Sequence, residues 1–183
     1  PQTGVAFYRV YRDGIAVATA PGASYSDTGL GETQTYAYHV AAVNGDGVEG
    51  TASALVNATP KPSLQSAYAI DATTVCVGFG KPVQRASAES LGNYTVRRSG
   101  GALIAVSTAR LAADGRSVIL TLGASLTEGQ SNTVTVSNVQ DLAGNAILAN
   151  SQQAFTWLAW QSRDIGDVGA AGTTNIAGGT FTV

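Results

Sequence analysis

This chain carries little with which to do chemistry. One histidine, His39, and one cysteine, Cys76, stand among its 183 residues, and methionine is absent. A lone histidine supplies neither a zinc ligand set nor a base already paired with a nucleophile. Strand alternation puts His39 on the face opposite Tyr36 and Tyr38, where it reads as a solvated strand residue. Cys76 lies among β-branched neighbours in Thr74–Phe79, the setting of a small buried residue rather than a reactive thiol, and alone it builds no disulfide framework. Charge is scarce as well: charged residues make up 12% of the chain and the net charge is −2. No basic cluster exists beyond Arg97 and Arg98, so nothing neutralises a run of phosphates, and nucleic acid is excluded as a partner. No apolar run approaches the roughly 20 residues of a membrane-spanning helix. No cofactor is expected.

What is present is strand-forming. Gly, Ala, Thr, Ser and Val fill the place of charge, as short strands joined by tight turns require. The expected fold class is all-β, with two tandem Ig-like or fibronectin III-like β-sandwiches and an extended C-terminal strand segment. Three segments separate on turn chemistry: 1–60, 61–160 and 161–183. The first boundary falls at Thr59, Pro60, Lys61 and Pro62, where two prolines one residue apart favour an extended linker. In the first segment Tyr8 and Val10 alternate with Phe7, Arg9 and Tyr11, the Asp13-Gly14 pair turns the chain, and Ile15 begins a second strand. Further on, Tyr36, Tyr38 and Val40 share one face of a strand, and Ala37, His39 and Ala41 share the other.

Tyr8, Val10, Asp13 and Gly14, then Tyr25, Asp27, Gly29 and Leu30, then Tyr36, Tyr38, Val40 and Asn44, and finally Gly50 and Ser53, resemble the second part of a bacterial fibronectin type III domain. The resemblance covers that family's strands C to G. It implies that Tyr36 is the corner tyrosine at the start of strand F, its hydroxyl bonded back to main chain, with Leu30 nearby as a structural residue. Strands A and B of the family have no counterpart. In the second segment, Phe79, Pro82 and Val83 followed much later by Asp141, Leu142, Ala143, Gly144 and Asn145 resemble the Ig-like domain of bacterial S-layer and secreted carbohydrate-active proteins. One helical turn is expected over Ser87–Leu91. The third segment, with its many glycines, resembles the opening strands of a lectin-like jelly roll.

Acidic residues are numerous enough for a carboxylate pair or a calcium site, but Asp13, Asp27, Asp46, Asp114 and Asp141 each lie within two residues of a glycine. Side-chain capping of turns is expected to account for them all. Asp164 and Asp167 remain as a weak calcium candidate without the alternating oxygens of a true loop. No catalytic or metal residue is therefore assigned. Asn57-Ala58-Thr59 and Asn93-Tyr94-Thr95 match the glycosylation triplet, a pattern common by chance. If Tyr8 and Val10 point inward, Phe7, Arg9, Tyr11 and His39 form an aromatic patch with polar edges, a candidate surface for glycan or protein. Cross-strand pairing that simply covers the sheet is the competing reading.

A sandwich short of two strands, each burying about three large apolar side chains at about 1.5–3 kcal/mol apiece, forfeits on the order of 10 kcal/mol. That matches the whole stability of a typical domain, about 5–15 kcal/mol. The expectation drawn from this is a non-enzymatic extracellular or cell-surface fibre subunit. Its partners are identical subunits, joined head to tail when the C-terminal segment of one fills the gap in the next. Ile176, Phe181 and Val183 are the anchors assigned to that donor tail. The alternative is an accessory spacer or carbohydrate-binding fragment of a secreted multidomain carbohydrate-active enzyme.

Overall fold

The computed structural model describes residues 4–159 and the backbone of two short strands near the C-terminus, Asn175–Ala177 and Thr180–Thr182. Among the described residues the fold is all-β apart from one helical turn and one 3-10 turn.

The first sheet holds β1 (Phe7–Arg12), β2 (Ile15–Ala20), β3 (Tyr36–Val43) and β4 (Val56–Ala58), in the order β2-β1-β3-β4. Asp13 and Gly14 join β1 to β2 with φ of 51° and 80°. Two consecutive positive φ angles are what a type I′ hairpin needs, and Asp-Gly is among the few pairs that supply them without much strain. Antiparallel register sets Phe7 opposite Val43, Arg9 opposite Ala41, Val10 opposite Val40 and Tyr11 opposite His39.

The second unit is a sandwich of two four-stranded antiparallel sheets. One contains β5 (Leu64–Ala69), β6 (Thr74–Phe79), β9 (Val106–Leu111) and β10 (Ser117–Leu122) in the order β5-β6-β10-β9. The other contains β7 (Tyr94–Arg98), β8 (Leu103–Ile104), β11 (Ser131–Val136) and β12 (Ser151–Thr156) in the order β12-β11-β7-β8. Period two aims Val75, Val77 and Phe79 of β6, Val118, Leu120 and Leu122 of β10, Val96 of β7, and Val134 and Val136 of β11 into one shared core. Cys76 points away from that core yet is buried, with Tyr68 and Ile119 as its cross-strand neighbours.

The helical turn, α1, spans Arg85–Ala88, two residues earlier than the expected Ser87–Leu91. The shift follows from Ser87, whose hydroxyl donates back to the Gln84 carbonyl at 3.1 Å and accepts the Gln140 N–H at 2.9 Å. Ser87 thus sits inside the turn and ties it to a distant loop instead of opening it. Near the C-terminus, β13 (Asn175–Ala177) and β14 (Thr180–Thr182) pair antiparallel with each other.

Candidate functional site

The residues singled out on β1 and β3 do come together, in company the sequence reading missed. The Tyr11 and His39 rings stack at 4.5 Å between centroids with an interplanar angle of 11°. Glu49, brought alongside by its bridge to Val43, places one carboxylate oxygen 2.5 Å from Arg9 Nη1 and accepts the Tyr11 hydroxyl on the other at 2.7 Å. The Tyr11 hydroxyl is therefore engaged by protein. Phe7, Arg9, Tyr11 and His39 are all half-buried and form a lid over Ala41 and Val43, which are 1% and 0% exposed. A count of alternation from Val43 across the Asn44–Gly47 turn would have found Glu49.

The other face, expected to be the inner one, is the more open. Val10 is buried there, but its cross-strand neighbour Val40 is 39% exposed. A groove of about 900 Å³ runs across this face, lined by Tyr25, Asp27, Leu30, Tyr36, Tyr38 and Val40 among others. The reason is geometric: long side chains and Glu49 cover one face, while the other is flanked by the Ala23–Leu30 segment and by residues 58–61, which leave the groove between them. Tyr36 accepts the Gly31 N–H on its hydroxyl at 3.0 Å, and Arg12 lies 5.6 Å from the centre of its ring.

Turn capping does not account for all the acids. Asp27 accepts the Tyr38 hydroxyl at 2.8 Å and Arg12 Nη1 at 2.7 Å. Partial desolvation pushes its carboxyl up, but the Tyr38 and Arg12 bonds outweigh this and hold it below the usual carboxylate range. Asp13 accepts the Ala37 N–H across the sheet, and the turn holding Asp46 is capped by the Asn44 side chain instead. Asp114 does cap its own turn, accepting the Arg116 and Ser117 N–H groups. Asp141 caps the Asp141–Asn145 turn through the Ala143 and Asn145 N–H groups, and also pairs with Lys81 Nζ at 2.6 Å. That pair is almost wholly buried, the side chains being 9% and 1% exposed. Among the described residues no three His, Cys, Asp or Glu side chains gather closely enough to hold a metal ion.

Of the two glycosylation triplets, Asn57 is exposed on β4, whereas Asn93 donates its amide to the Ser87 carbonyl at 2.8 Å. Asp164, Asp167 and Val183 lie outside the described residues. Ile176 and Phe181 are cross-strand partners in the β13–β14 hairpin. Among the described residues, no helix is long and apolar enough to cross a membrane.

The chain is 34% identical over 117 residues to exoglucanase B of Cellulomonas fimi, a match covering 58% of this chain and 11% of that protein. It is 43% identical over 67 residues to a poly(3-hydroxybutyrate) depolymerase of Ralstonia pickettii, covering 37% of this chain and 13% of the other. The chain thus spans only a small part of either relative. Among solved structures, the N-terminal part of the bacterial S-layer protein SbsC superposes with a TM-score of 0.51 at 29% identity, over 54% of this chain and 24% of that one. Residues 49–157, more than half of the chain, match the bacterial Ig-like domain family, whose span takes in the whole second sandwich together with β4 and the proline linker, and the chain belongs to that family.

Proposed function

We propose that the chain is a non-catalytic β-sandwich segment of an extracellular or cell-surface bacterial protein, one that spaces or positions other modules. A single observation carries this reading. Related segments occur in one protein named for attack on glucan, one named for a polyester and one named for a surface layer. Proteins named for such different targets have in common a stretch similar to part of this chain, which supports a mechanical rather than a chemical task for it. The carboxylates of Asp13, Asp27, Glu49, Asp114 and Asp141 agree with it, because each is engaged in holding the fold. The test is assay of the purified chain on β-glucan and on polyester film, with no turnover expected. Turnover that persists through purification and vanishes when one acidic residue is changed would overturn it.

The open groove favours a second reading. Apolar surface around Val40 invites strands from elsewhere, and a neighbouring copy of the chain is one source. In that arrangement the 173–183 tail, with Ile176, Phe181 and Val183 as anchors, covers the open face of the first sheet of the next subunit, complementing its incomplete sandwich, and yields a head-to-tail fibre. Concentration-dependent sedimentation and negative-stain microscopy test it: filaments should form and should be lost when 173–183 is deleted. A monomer at every concentration leaves the spacer reading alone.

A further inference from the structure

The linker between the two units carries two prolines and would be read as a semi-rigid spacer, with relative motion the default. Its side-chain contacts say otherwise. Thr59 accepts Asn145 Nδ2 on its hydroxyl at 3.0 Å, and the Pro60 carbonyl accepts Lys81 Nζ at 2.8 Å. Both donors belong to the second sandwich and are themselves held by Asp141. From the other side Glu32, in the turn before β3, accepts the Ser63 N–H at 3.1 Å and the Ser63 hydroxyl, and Gln65 Nε2 reaches the same carboxylate at 3.3 Å. The grips are crossed: each unit holds the stretch of linker that leads into the other.

We infer that residues 59–63 form a locked joint that fixes the orientation of the first sheet on the second sandwich. Gly80 points the same way. Its φ is not positive, so no turn demands glycine there, yet a Cβ at that position would overlap the Glu32 carboxylate. The Glu32 carboxylate from the other unit occupies the space that a side chain at this position would take, so a larger residue would have to displace it. Tyr36 extends the device upstream, since its hydroxyl holds the Gly31 N–H immediately before Glu32. The joint goes beyond the spacer reading, because a spacer can work with a free hinge, and it stands equally if the chain polymerises.

Residual dipolar couplings of the full-length chain in a dilute liquid crystal test the joint. Amides of β1–β4 and of β5–β12 should fit one common alignment tensor. In Glu32→Ala combined with Thr59→Val the common tensor should be lost, with weaker alignment for the smaller sheet. Both positions lie outside the core of the second sandwich, and unchanged amide shifts for Val118, Leu120, Val134 and Val136 show that its fold survives. Gly80→Ala is the independent variant: displacing the carboxylate should separate the tensors in the same direction. Two tensors in the unaltered chain, or one tensor retained in both variants, would overturn the joint.

Discussion

Val118, Leu120, Val134 and Val136 of the second sandwich are all 0% exposed, whereas Val40, in an equally alternating strand of the first sheet, is 39% exposed. The two regions obey the same period-two rule. The difference lies in what faces the strands. In the second sandwich each sheet is the other's cover, and the apolar sets of β6, β10, β7 and β11 meet in one core. In the first sheet the buried residues are divided, Val10 and Ala20 on one face and Ala41 and Val43 on the other. Neither face then holds a core of its own. The comparison teaches that alternation marks which residues can be buried together, while burial itself needs a second layer.

The largest expected effect is at the ion pair buried in the second sandwich. Asp141→Ala leaves Lys81 buried without its charge partner and uncaps a turn, and should cost about 3–5 kcal/mol in denaturant unfolding followed by tryptophan fluorescence. No single charge removed from the first sheet should approach that. Burial pushes the Asp141 carboxyl up, but its bonds to Lys81 and Asn145 outweigh burial and hold it below the usual carboxylate range. A carboxyl depressed in the folded state stabilises above its unfolded pKa of about 3.9, and that contribution is lost as pH falls through the depressed value. Stability of the unaltered chain should therefore decline with acid more steeply than that of Asp141→Ala, and parallel declines would contradict the assignment.

Leu120→Ala should cost about 2–5 kcal/mol through the cavity it opens, while Val40→Ala should stay within about 0.5 kcal/mol, since Val40 is already in contact with water. Guanidinium titration of each variant decides this. A Val40→Ala cost close to that of Leu120→Ala would mean that the groove is covered in solution, which would sharpen the fibre reading.

The smallest contrast is between two tyrosines. Tyr94, 5% exposed, donates to the Ala88 carbonyl at 2.7 Å, and burial pushes its hydroxyl pKa up. Tyr94→Phe strands that carbonyl and should cost about 1–3 kcal/mol. Tyr36 accepts from Gly31 at a more open site, and Tyr36→Phe should cost about 0.5–1 kcal/mol. Thermal unfolding should rank them in that order. Tyr11→Phe now belongs with Tyr36→Phe, because its hydroxyl donates to Glu49 instead of to water.

Much of this was readable in advance because it is local. The Asp13-Gly14 hairpin follows from the φ angles that pair allows, the strands of the second sandwich from β-branched alternation, and the Asp114 cap from a side chain reaching two and three residues on. Glu49, Asp27 and Lys81 were not readable as partners of Arg9, Tyr38 and Asp141. Those pairs are 40, 11 and 60 residues apart, and only the sheet register and the packing of loops decide that they meet.

The sequence by itself determined that the chain is all-β and where most of its strands begin and turn, because backbone preference and period-two patterning are properties of short stretches. Tertiary structure alone decided which face of the first sheet is closed, that Asp141 and Lys81 are buried together, and that a linker with two prolines is gripped from both sides. These depend on side chains far apart in the chain reaching one place, where exclusion of water and the distance between charges set their energy.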